Sequence, residues 1–429
     1  MPRFSSRTRQ TFIALIFVAF VLANAFAASA NEDQRRGHEK ILAGYFEEWS
    51  IYGANYNIAN LQNNGVANEI SHLLYAFGNV SGGQCSLADT WADYQTPFLP
   101  SVSGQPYTGP LFGNFAALQQ LKQLHPNLKI MISLGGASEA NAEGFATAAA
   151  SPAARSQLAA SCIDLFIKGN IADGVSAAGL FDGIDIDWEF PGAADKHNFT
   201  LLLEEFRRQL DVLGKANHHH YLLSIFAPAG AQNYSNLELK RVAAQLDFLN
   251  LQGYDLNGTW ETVTNHAASI FDSRQDPNAG QGLFVDAVVS AYLQAGVPAR
   301  QLVVGVPLYG RGWTGVPNVN NGLYQTSTGA APSPAGDTLA TDGVATFMTL
   351  QGLTGFERHY DGRRFAQWIY DPSTLTFWSY DDPVIAWAKA IYIDFRVPGG
   401  LGGAVVWAFK DDDVNGTMVK TLARGLHRK

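Results

Sequence analysis

The sequence is poor in cysteine and in charge. Its 429 residues include two cysteines, and Asp, Glu, Lys and Arg together make up only 16% of the chain. Two cysteines cannot build a disulfide scaffold, and the spacing of Cys85 and Cys162 matches no metal motif. Cys162 falls in an apolar helical pattern and is predicted to be a buried small hydrophobe, whereas Cys85 falls in a loop. The sequence leaves open whether the two pair.

Several other signals are missing. No basic run could neutralise nucleic-acid phosphates, so nucleic acid is not an expected partner. The glycine-rich dinucleotide fingerprint is missing, and we expect no cofactor. Three adjacent histidines, His218–His220, precede a predicted strand. Consecutive side chains rarely converge on one ion, so we interpret them as a solvated turn and expect no metal site.

Residues 1–30 have the pattern of an export signal. Three arginines precede an apolar stretch at Thr11–Ala27, and Ala28-Ser29-Ala30 then fits the small-residue cleavage site. The alternative is an uncleaved membrane anchor; no later stretch is long enough to span a bilayer. Loss of the three arginines takes the formal charge from −9 to −12. We therefore expect a secreted, monomeric protein that is not membrane-bound after signal removal and that acts on a neutral substrate.

Strand-like apolar runs alternate with helical patterns along the mature chain. Eight such runs alternating with helices predict an α/β fold, a (β/α)8 TIM barrel, with an open doubly wound sheet as the alternative. The predicted strands are Ile41–Phe46, Ser71–Phe77, Lys129–Leu134, Gly183–Glu189, Leu222–Ala227, Asp247–Gly253, Leu302–Pro307 and Gly403–Ala408.

The helices between these strands are marked by start and stop residues. Ser151-Pro152 and Asp382-Pro383 each provide an N-cap followed by proline at the first helical position. Gly169 and Gly214 are predicted to end two of the helices. The predicted helices run from Pro152 to Lys168, from Asn198 to Leu213, from Pro383 to just before Pro398, and, with weaker patterns, over Asn114–Leu124 and Val285–Leu293.

Two stretches do not fit the alternation. Asn79–Gly113 is a long loop after the second strand, and Thr314–Phe377 contains short β-like pieces at Ala345–Leu350 and Arg364–Tyr370. We predict that residues 314–377 form a small α+β lobe on the rim of the barrel. Residues 31–429 would then be one catalytic domain, with the barrel at 38–313 and 378–429.

The most informative segment is an acidic strand. Side chains alternate along a strand, so Asp185, Asp187 and Glu189 point one way and the apolar residues between them the other. Three carboxyls inside a barrel cannot all ionise, so at least one is predicted to keep a proton near neutral pH, as a general acid requires. Glu189 is outermost and is our candidate acid. The alternatives are a Ca²⁺ or Mg²⁺ site and an acidic surface strand.

Residues Asp182–Glu189 read DxxDxDxE, which resembles the signature of glycoside hydrolase family 18, the chitinase family. Three further segments carry the resemblance across nearly the whole mature chain: Ser133-Leu134-Gly135-Gly136, Gln252-Gly253-Tyr254-Asp255 and Tyr309-Gly310-Arg311-Gly312-Trp313. The sequence most resembles the family members that carry an inserted lobe. Where many of those have Trp this chain has Ala137, which indicates a missing aromatic platform, and Gln252 stands at a usual Met.

The resemblance implies a retaining hydrolase of chitin or chito-oligosaccharides that cuts β-1,4 linkages between N-acetylglucosamine units. The substrate's 2-acetamido oxygen, and no protein carboxylate, would be the nucleophile. Glu189 would be the acid and base, and Asp187 would hold the acetamido N–H and share a proton with Asp185. Tyr254 would donate a hydrogen bond to the acetamido oxygen.

The resemblance also assigns binding and structural roles. Trp407 would be the floor under the cleaved sugar, with Trp49 and Trp260 as platforms on either side. Apart from the resemblance, Tyr45, Phe77 and Trp188 are more readily interpreted as core residues, and Lys410–Asp413 as a solvated rim loop. The candidates for substrate binding are Trp407, Asp255, Trp49, Trp260, Arg311, Gln252 and Tyr45, and the structural motif residues are Asp182, Gly183, Ser133, Gly135 and Gly136.

Three rival functions are weighed against this one. A chitin-binding lectin of the same fold typically loses the acid at the position of Glu189. An endo-acting glycosidase on N-linked glycans shares the acidic strand but generally lacks the lobe. A structural or adhesive surface protein would not need aligned carboxyls.

Overall fold

The computed structural model describes residues 40–335, 337 and 341–426. The predicted export signal at residues 1–30 lies outside this range. In the described part of the chain, no helix has both the length and the apolar character needed to cross a membrane.

The strands of the described residues form three sheets. We number them in chain order: β1 Ile41–Glu47, β2 His72–Ser81, β3 Gln84–Leu87, β4 Lys129–Gly136, β5 Asn170–Ala172, β6 Val175–Ser176, β7 Gly183–Trp188, β8 Leu222–Ala227, β9 Phe248–Leu251, β10 Leu302–Pro307, β11 Tyr309–Thr314, β12 Gly329–Ala330, β13 Val344–Thr346, β14 Glu357–Asp361, β15 Ala366–Asp371, β16 Thr376–Tyr380 and β17 Gly403–Trp407.

Eight of these strands close into a parallel barrel. The order is β1, β2, β4, β7, β8, β9, β10 and β17, and β17 returns to pair with β1. The barrel predicted from the alternation is confirmed, and every predicted barrel strand overlaps an observed one. The acidic strand β7 pairs with β4 on one side and β8 on the other.

In the described residues, ten α-helices lie between barrel strands and an eleventh follows β17. They are α1 Ile58–Asn63, α2 Gly113–Leu124, α3 Glu139–Ala149, α4 Pro152–Cys162, α5 Lys196–Asn217, α6 Ala231–Tyr234, α7 Leu239–Ala243, α8 Val285–Gln294, α9 Phe347–Gly352, α10 Pro383–Phe395 and α11 Thr417–Gly425. The sequence patterns missed α3, which is rich in alanine, and also α1, α6, α7, α9 and α11.

The capping residues behave as predicted in two helices and not in a third. Ser151 and Asp382 cap α4 and α10 through their side-chain oxygens. The predicted end of α5 at Gly214 is wrong, because the helix runs on to Asn217 and His218 takes the left-handed position after it. A Cβ at Gly214 would lie 2.3 Å from the backbone oxygen of His219, so this glycine allows the chain to fold back closely.

A second, antiparallel sheet follows the seventh barrel strand. Its path is β12, β11, β16, β15 and β14, and β13 pairs with β11. The predicted strand-like piece at Ala345–Leu350 is wrong for most of its length: β13 ends at Thr346, whose hydroxyl caps α9. The long loop after the second strand holds the hairpin strand β3 and a helical turn at Trp91–Gln95.

The two cysteines form a disulfide, which answers the question that the sequence left open. Cys85 lies on β3 and Cys162 ends α4, with their Cα atoms 4.9 Å apart. Cys162 is buried, as predicted, but it is not a free thiol. The bond ties the hairpin beyond β2 to a helix that follows β4.

Candidate active site

Asp185 lies at the centre of the barrel and is fully buried. Its Oδ2 accepts hydrogen bonds from Tyr45 on β1 at 3.2 Å and from Ser133 on β4 at 2.8 Å. Its Oδ1 accepts from Ser224 on β8 at 2.6 Å and from Asn250 on β9 at 3.1 Å. Burial raises the pKa of Asp185, and the four donors oppose that rise. This carboxyl is therefore held in place by four other strands.

Asp187 lies one inward position above Asp185 and has a different environment. It is 3% exposed, and its buried Oδ1 has no hydrogen-bond partner among the described residues. Burial raises its pKa well above the usual range, and the neighbouring Glu189 and Asp185 raise it further. A buried polar atom without a partner is costly, so this oxygen is available to a group that enters the site.

Glu189 follows the last residue of β7, where catalytic groups of TIM barrels lie. Burial and, to a smaller extent, the charge of Asp255 raise the pKa of Glu189 to about 7. At neutral pH a large fraction of this carboxyl therefore carries a proton, which a general acid requires.

The other face of β7 packs under the helices, as the alternation predicts. Ile184 and Ile186 are fully buried. The ring of Trp188 stacks on Phe145 of α3 at 5.5 Å and meets Phe199 of α5 edge-on at 5.6 Å. This apolar packing fixes the rotation of the strand and directs its acidic residues inward.

Tyr254 and Asp255 follow β9 and border the carboxyl row. Tyr254 is 6% exposed, and burial raises its pKa well above its usual value, so its hydroxyl remains a donor. Asp255 forms a two-pronged ion pair with Arg311 of β11, with N–O distances of 2.7 and 2.6 Å. Bidentate pairs of this kind fix the orientation of both groups.

Aromatic rings form a continuous row across the barrel mouth. Trp407 lies 5.0 Å from Tyr45 and stacks on Phe77 at 5.8 Å. Phe77 in turn lies 6.0 Å from Trp49, which is 40% exposed. Phe77 was predicted as a core residue, but it is only partly buried and joins Trp49 to Trp407.

Two other candidates lie at different depths. Trp260 is 59% exposed, and the guanidinium of Arg311 lies 5.4 Å from the centre of its ring. Gln252 is partly buried, and its side-chain oxygen accepts a hydrogen bond from the backbone N–H of Ala229 at 3.0 Å. Its amide therefore joins β9 to the loop after β8.

The motif glycines lie where the backbone approaches other groups closely. Gly135 has a φ of +118°, and a Cβ there would lie 2.2 Å from the backbone oxygen of Asp187. At Gly136 a Cβ would meet the ring of Phe77 at 2.7 Å, and at Gly183 it would meet a backbone oxygen of β8 at 2.4 Å. Asp182 anchors the start of β7: its Oδ2 accepts from Lys122 at 2.7 Å and from the backbone of β4.

A cavity of about 180 Å³ opens beside this constellation. Barrel loops and the second sheet both contribute to its wall. Its lining residues are Asp255, Tyr309, Arg311, Val344, Ala345, Thr346, Trp407, Lys410 and Asp411.

The interpretation of Lys410–Asp413 as a solvated loop is wrong. Asp411 and Asp412 are buried, and Lys410 forms ion pairs with Glu47 at 3.0 Å and Asp411 at 2.8 Å. Asp412 accepts hydrogen bonds from two backbone N–H groups of α11. This segment is a buried polar connection between β1 and the last helix.

Sequence reasoning missed Ser224 and Asn250. Both lie at inward positions of predicted strands, so their alternation could have placed them inside the barrel. Their level relative to Asp185 depends on the register between β7, β8 and β9, which the sequence does not carry.

The histidines His218–His220 are exposed, and no group of three metal-binding side chains occurs in the described residues.

The chain is similar to known proteins over most of its length. The model of the glycosyl hydrolases of family 18 matches residues 41–412. Chitinase A1 of Niallia circulans is 32% identical over 454 aligned positions, which cover 95% of this chain and 61% of that protein. Chitinase 1 of Aphanocladium album is 33% identical, covering 96% of this chain and 92% of that protein.

A solved structure is similar over most of the chain. The catalytic domain of the psychrophilic chitinase B from Arthrobacter TAD20 superposes with a TM-score of 0.82 at 35% identity. The match covers 91% of this chain and 96% of that one.

Proposed function

This chain belongs to glycoside hydrolase family 18 and is a chitinase, and we propose that it cleaves β-1,4 linkages between N-acetylglucosamine units with retention of configuration. In this proposal the 2-acetamido group of the substrate is the nucleophile and Glu189 is the acid and base. The observation that supports it most is the contrast between Asp185, with four donors, and Asp187, whose buried Oδ1 has none among the described residues.

Glu189 begins the reaction as the acid. Its proton passes to the glycosidic oxygen while the bond from that oxygen to the anomeric carbon breaks. The carbonyl oxygen of the acetamido group forms a new bond to the same carbon, which gives a cyclic oxazolinium ion. The raised pKa of Glu189 supports this role, because an ionised carboxylate has no proton to give.

Asp187 supplies the acceptor that the nucleophile needs. Its Oδ1 receives the acetamido N–H, which orients the carbonyl oxygen toward the anomeric carbon and stabilises the positive charge that develops there. Asp187 and Asp185 lie too close to ionise together, so they hold one proton between them, which Asp185 takes up or shares. The four hydrogen-bond donors of Asp185 keep that carboxyl in position. Water then attacks the anomeric carbon from the side of the departed sugar, and Glu189 takes a proton from it. The bond from the anomeric carbon to the acetamido oxygen breaks, which restores the acetamido group.

Tyr254 and Trp407 would complete the pocket around the cleaved sugar. The hydroxyl of Tyr254 donates to the acetamido oxygen, and the face of Trp407 supports the apolar face of the ring. The ion pair of Asp255 with Arg311 lines the adjoining cavity and can hydrogen-bond sugar hydroxyls.

We further propose that the chain is exported through residues 1–30 and acts as a monomer outside the cell. Chitin and its oligomers are uncharged, which suits a chain with no basic run and a formal net charge of −9, or −12 once the three arginines of residues 1–30 are lost. The catalytic domain in this proposal is residues 31–429, with the lobe at 314–377 and the barrel on either side of it.

Product analysis on defined oligomers tests the mechanism. With N-acetylglucosamine oligomers of known length, proton NMR recorded within the first turnovers should show the β anomer at the new reducing end. A matched oligomer that carries free amines instead of acetamido groups should not be cut, because it lacks the nucleophile. Rapid release of the α anomer, or equal cleavage of both oligomers, would contradict substrate assistance.

A further inference from the structure

A second pair of carboxyls lies outside the catalytic row. Glu48 is in the helical turn Glu48–Ile51 after β1, and Asp93 is in the turn Trp91–Gln95 after β3. They are 6% and 1% exposed, and each has one buried oxygen without a hydrogen-bond donor among the described residues. The two side chains instead hydrogen-bond each other. We call this pair the acid clasp.

The groups around the acid clasp provide no compensating positive charge. Tyr75 of β2 donates to Asp93 at 2.6 Å, and Asn114 of α2 donates to that tyrosine hydroxyl at 3.1 Å. Asp89, whose charge also raises the pKa of Glu48, accepts a hydrogen bond from Tyr52 at 2.6 Å. In the described part of the chain, no lysine, arginine or histidine forms an ion pair with either clasp carboxyl.

Two carboxyls in contact need one proton between them. Two ionised groups at hydrogen-bond distance repel each other strongly in a buried site, whereas one acid and one carboxylate form a strong charge-assisted hydrogen bond. The clasp therefore joins the turn after β1 to the turn after β3 through a single proton.

Each of these turns carries an exposed tryptophan. Trp49 directly follows Glu48 and is 40% exposed, and Trp91 lies two residues before Asp93 and is 46% exposed. Trp49 contacts Phe77, which stacks on Trp407 at the barrel mouth. The position of the turn Glu48–Ile51 thus determines where Trp49, the outermost ring of the aromatic row, lies.

We propose that the acid clasp positions Trp49 as an outer sugar platform, so that tight binding of a long oligosaccharide requires the proton shared by Glu48 and Asp93. Glu48 and Asp93 are positioning residues, since neither lies against the reacting atoms. The inference rests on the proposed function, because it takes the aromatic row as the surface that binds the sugar chain.

The direction of the pH effect follows from burial. Burial raises the pKa of Asp93 to about 7, and burial with the charge of Asp93 raises that of Glu48 to about 9, so the clasp holds at least one proton at neutral pH and loses its last one above about pH 9. A raised carboxyl pKa means that the stabilising contact is complete at low pH and is lost as the pH rises through that value. Binding by the outer platform should therefore weaken in alkali.

The test measures binding apart from catalysis. In a Glu189→Gln protein, which removes the titration of the acid, calorimetry gives the dissociation constants of a hexamer and a dimer of N-acetylglucosamine. From about pH 6 to about pH 10 the ratio of hexamer to dimer affinity should fall about tenfold, as expected for loss of one proton-linked contact. The dimer is the internal reference, because it is a third as long as the hexamer and covers less of the aromatic row.

Adding Glu48→Gln should abolish that pH dependence. The amide donates the same hydrogen bond to ionised Asp93 but has no proton to lose. Asp93→Asn is the reciprocal variant and should give the same flat profile if Glu48→Gln does not fold. Glu143→Gln, an exposed residue of α3, is the matched control and should keep the pH dependence.

The outcomes separate this inference from the proposed function. If hexamer binding weakens in alkali equally with and without Glu48→Gln, or does not weaken at all, the clasp has no positioning role. If the Glu189→Gln protein binds neither oligomer at any pH, the proposed substrate is wrong and the clasp inference falls with it.

Discussion

The inner strand β7 and the outer helix α5 present the same carboxyl group in opposite states. Glu189 at the end of β7 has a pKa raised to about 7 by burial and by Asp255. Glu205 on α5 has a pKa lowered to about 2, chiefly by its hydrogen bonds with Arg208. The distances from Glu205 to that arginine are 2.7 and 2.6 Å.

The difference shows how burial inside the barrel changes the protonation of a carboxyl group. On α5 a carboxylate remains near water and next to a cation, so ionisation is favoured. On β7 the carboxyls lie in a row with no cation against Asp187 or Glu189 among the described ion pairs, so protonation is favoured. Whether a carboxyl can donate a proton thus depends on where it lies in the fold. Four substitutions and one pH profile test this contrast.

The largest effect is expected from Glu189→Gln. The amide keeps the shape of the side chain but cannot donate a proton, so kcat should fall about 10³-fold while oligomer binding persists. Steady-state kinetics and calorimetry on one preparation measure both. Glu205→Gln on α5 is the matched control, and near-wild-type turnover of the Glu189 variant would refute its role.

Asp187→Asn should reduce kcat about 10²-fold, because the neutral amide cannot supply the negative charge that stabilises the developing oxazolinium ion. The measurement is kcat on an N-acetylated oligomer. In a protein that already carries Glu189→Gln, adding Asp187→Asn should lower kcat no further, since both residues act in the same step. A loss below threefold would count against a substrate nucleophile.

The pH profile of the wild-type protein should fall on its alkaline side. Glu189 must be protonated to act, and its pKa is about 7, so kcat should drop about tenfold for each pH unit above that value. Measuring kcat at saturating oligomer separates this effect from binding. A rate that stays level well into alkali would mean that another group supplies the proton.

Ser224→Ala tests the support beneath the catalytic row. It removes the shortest hydrogen bond to Asp185, at 2.6 Å, and leaves Asn250 as the remaining donor to Oδ1. We expect a loss of about 2 kcal/mol in the free energy of unfolding, measured in urea, and a decrease of a few-fold in kcat. Ser156→Ala in α4, outside the barrel interior, serves as the comparison.

The smallest effect is expected from Glu205→Gln. The pair with Arg208 is exposed and screened by water, so the free energy of unfolding should change only slightly. Because the pKa of Glu205 is lowered in the folded chain, the pair's contribution exists above its usual pKa and is lost as the pH falls toward about 2. Turnover should not change; a change would mean that α5 influences the site.

Part of the site was predictable because one strand contains it. The spacing of Asp185, Asp187 and Glu189 determines that they share a face, and Ile184, Ile186 and Trp188 determine which face is inward. The donors Ser224 and Asn250 come from other strands, so their contact with Asp185 depends on register. The burial of Asp411 and Asp412 was missed because a charged run usually faces water. Here Lys410 pairs with Glu47 and Asp411, and N–H groups of α11 donate to Asp412.

The sequence by itself determined the eight alternating strands, the inward acidic row and the family resemblance, because each rests on local periodicity or on a contiguous motif. Only the tertiary structure decided that Cys85 pairs with Cys162, that Phe77 joins Trp49 to Trp407, and that Glu48 meets Asp93. These contacts join segments that are distant in the chain. Their distances follow from barrel closure and loop packing, which no local pattern encodes.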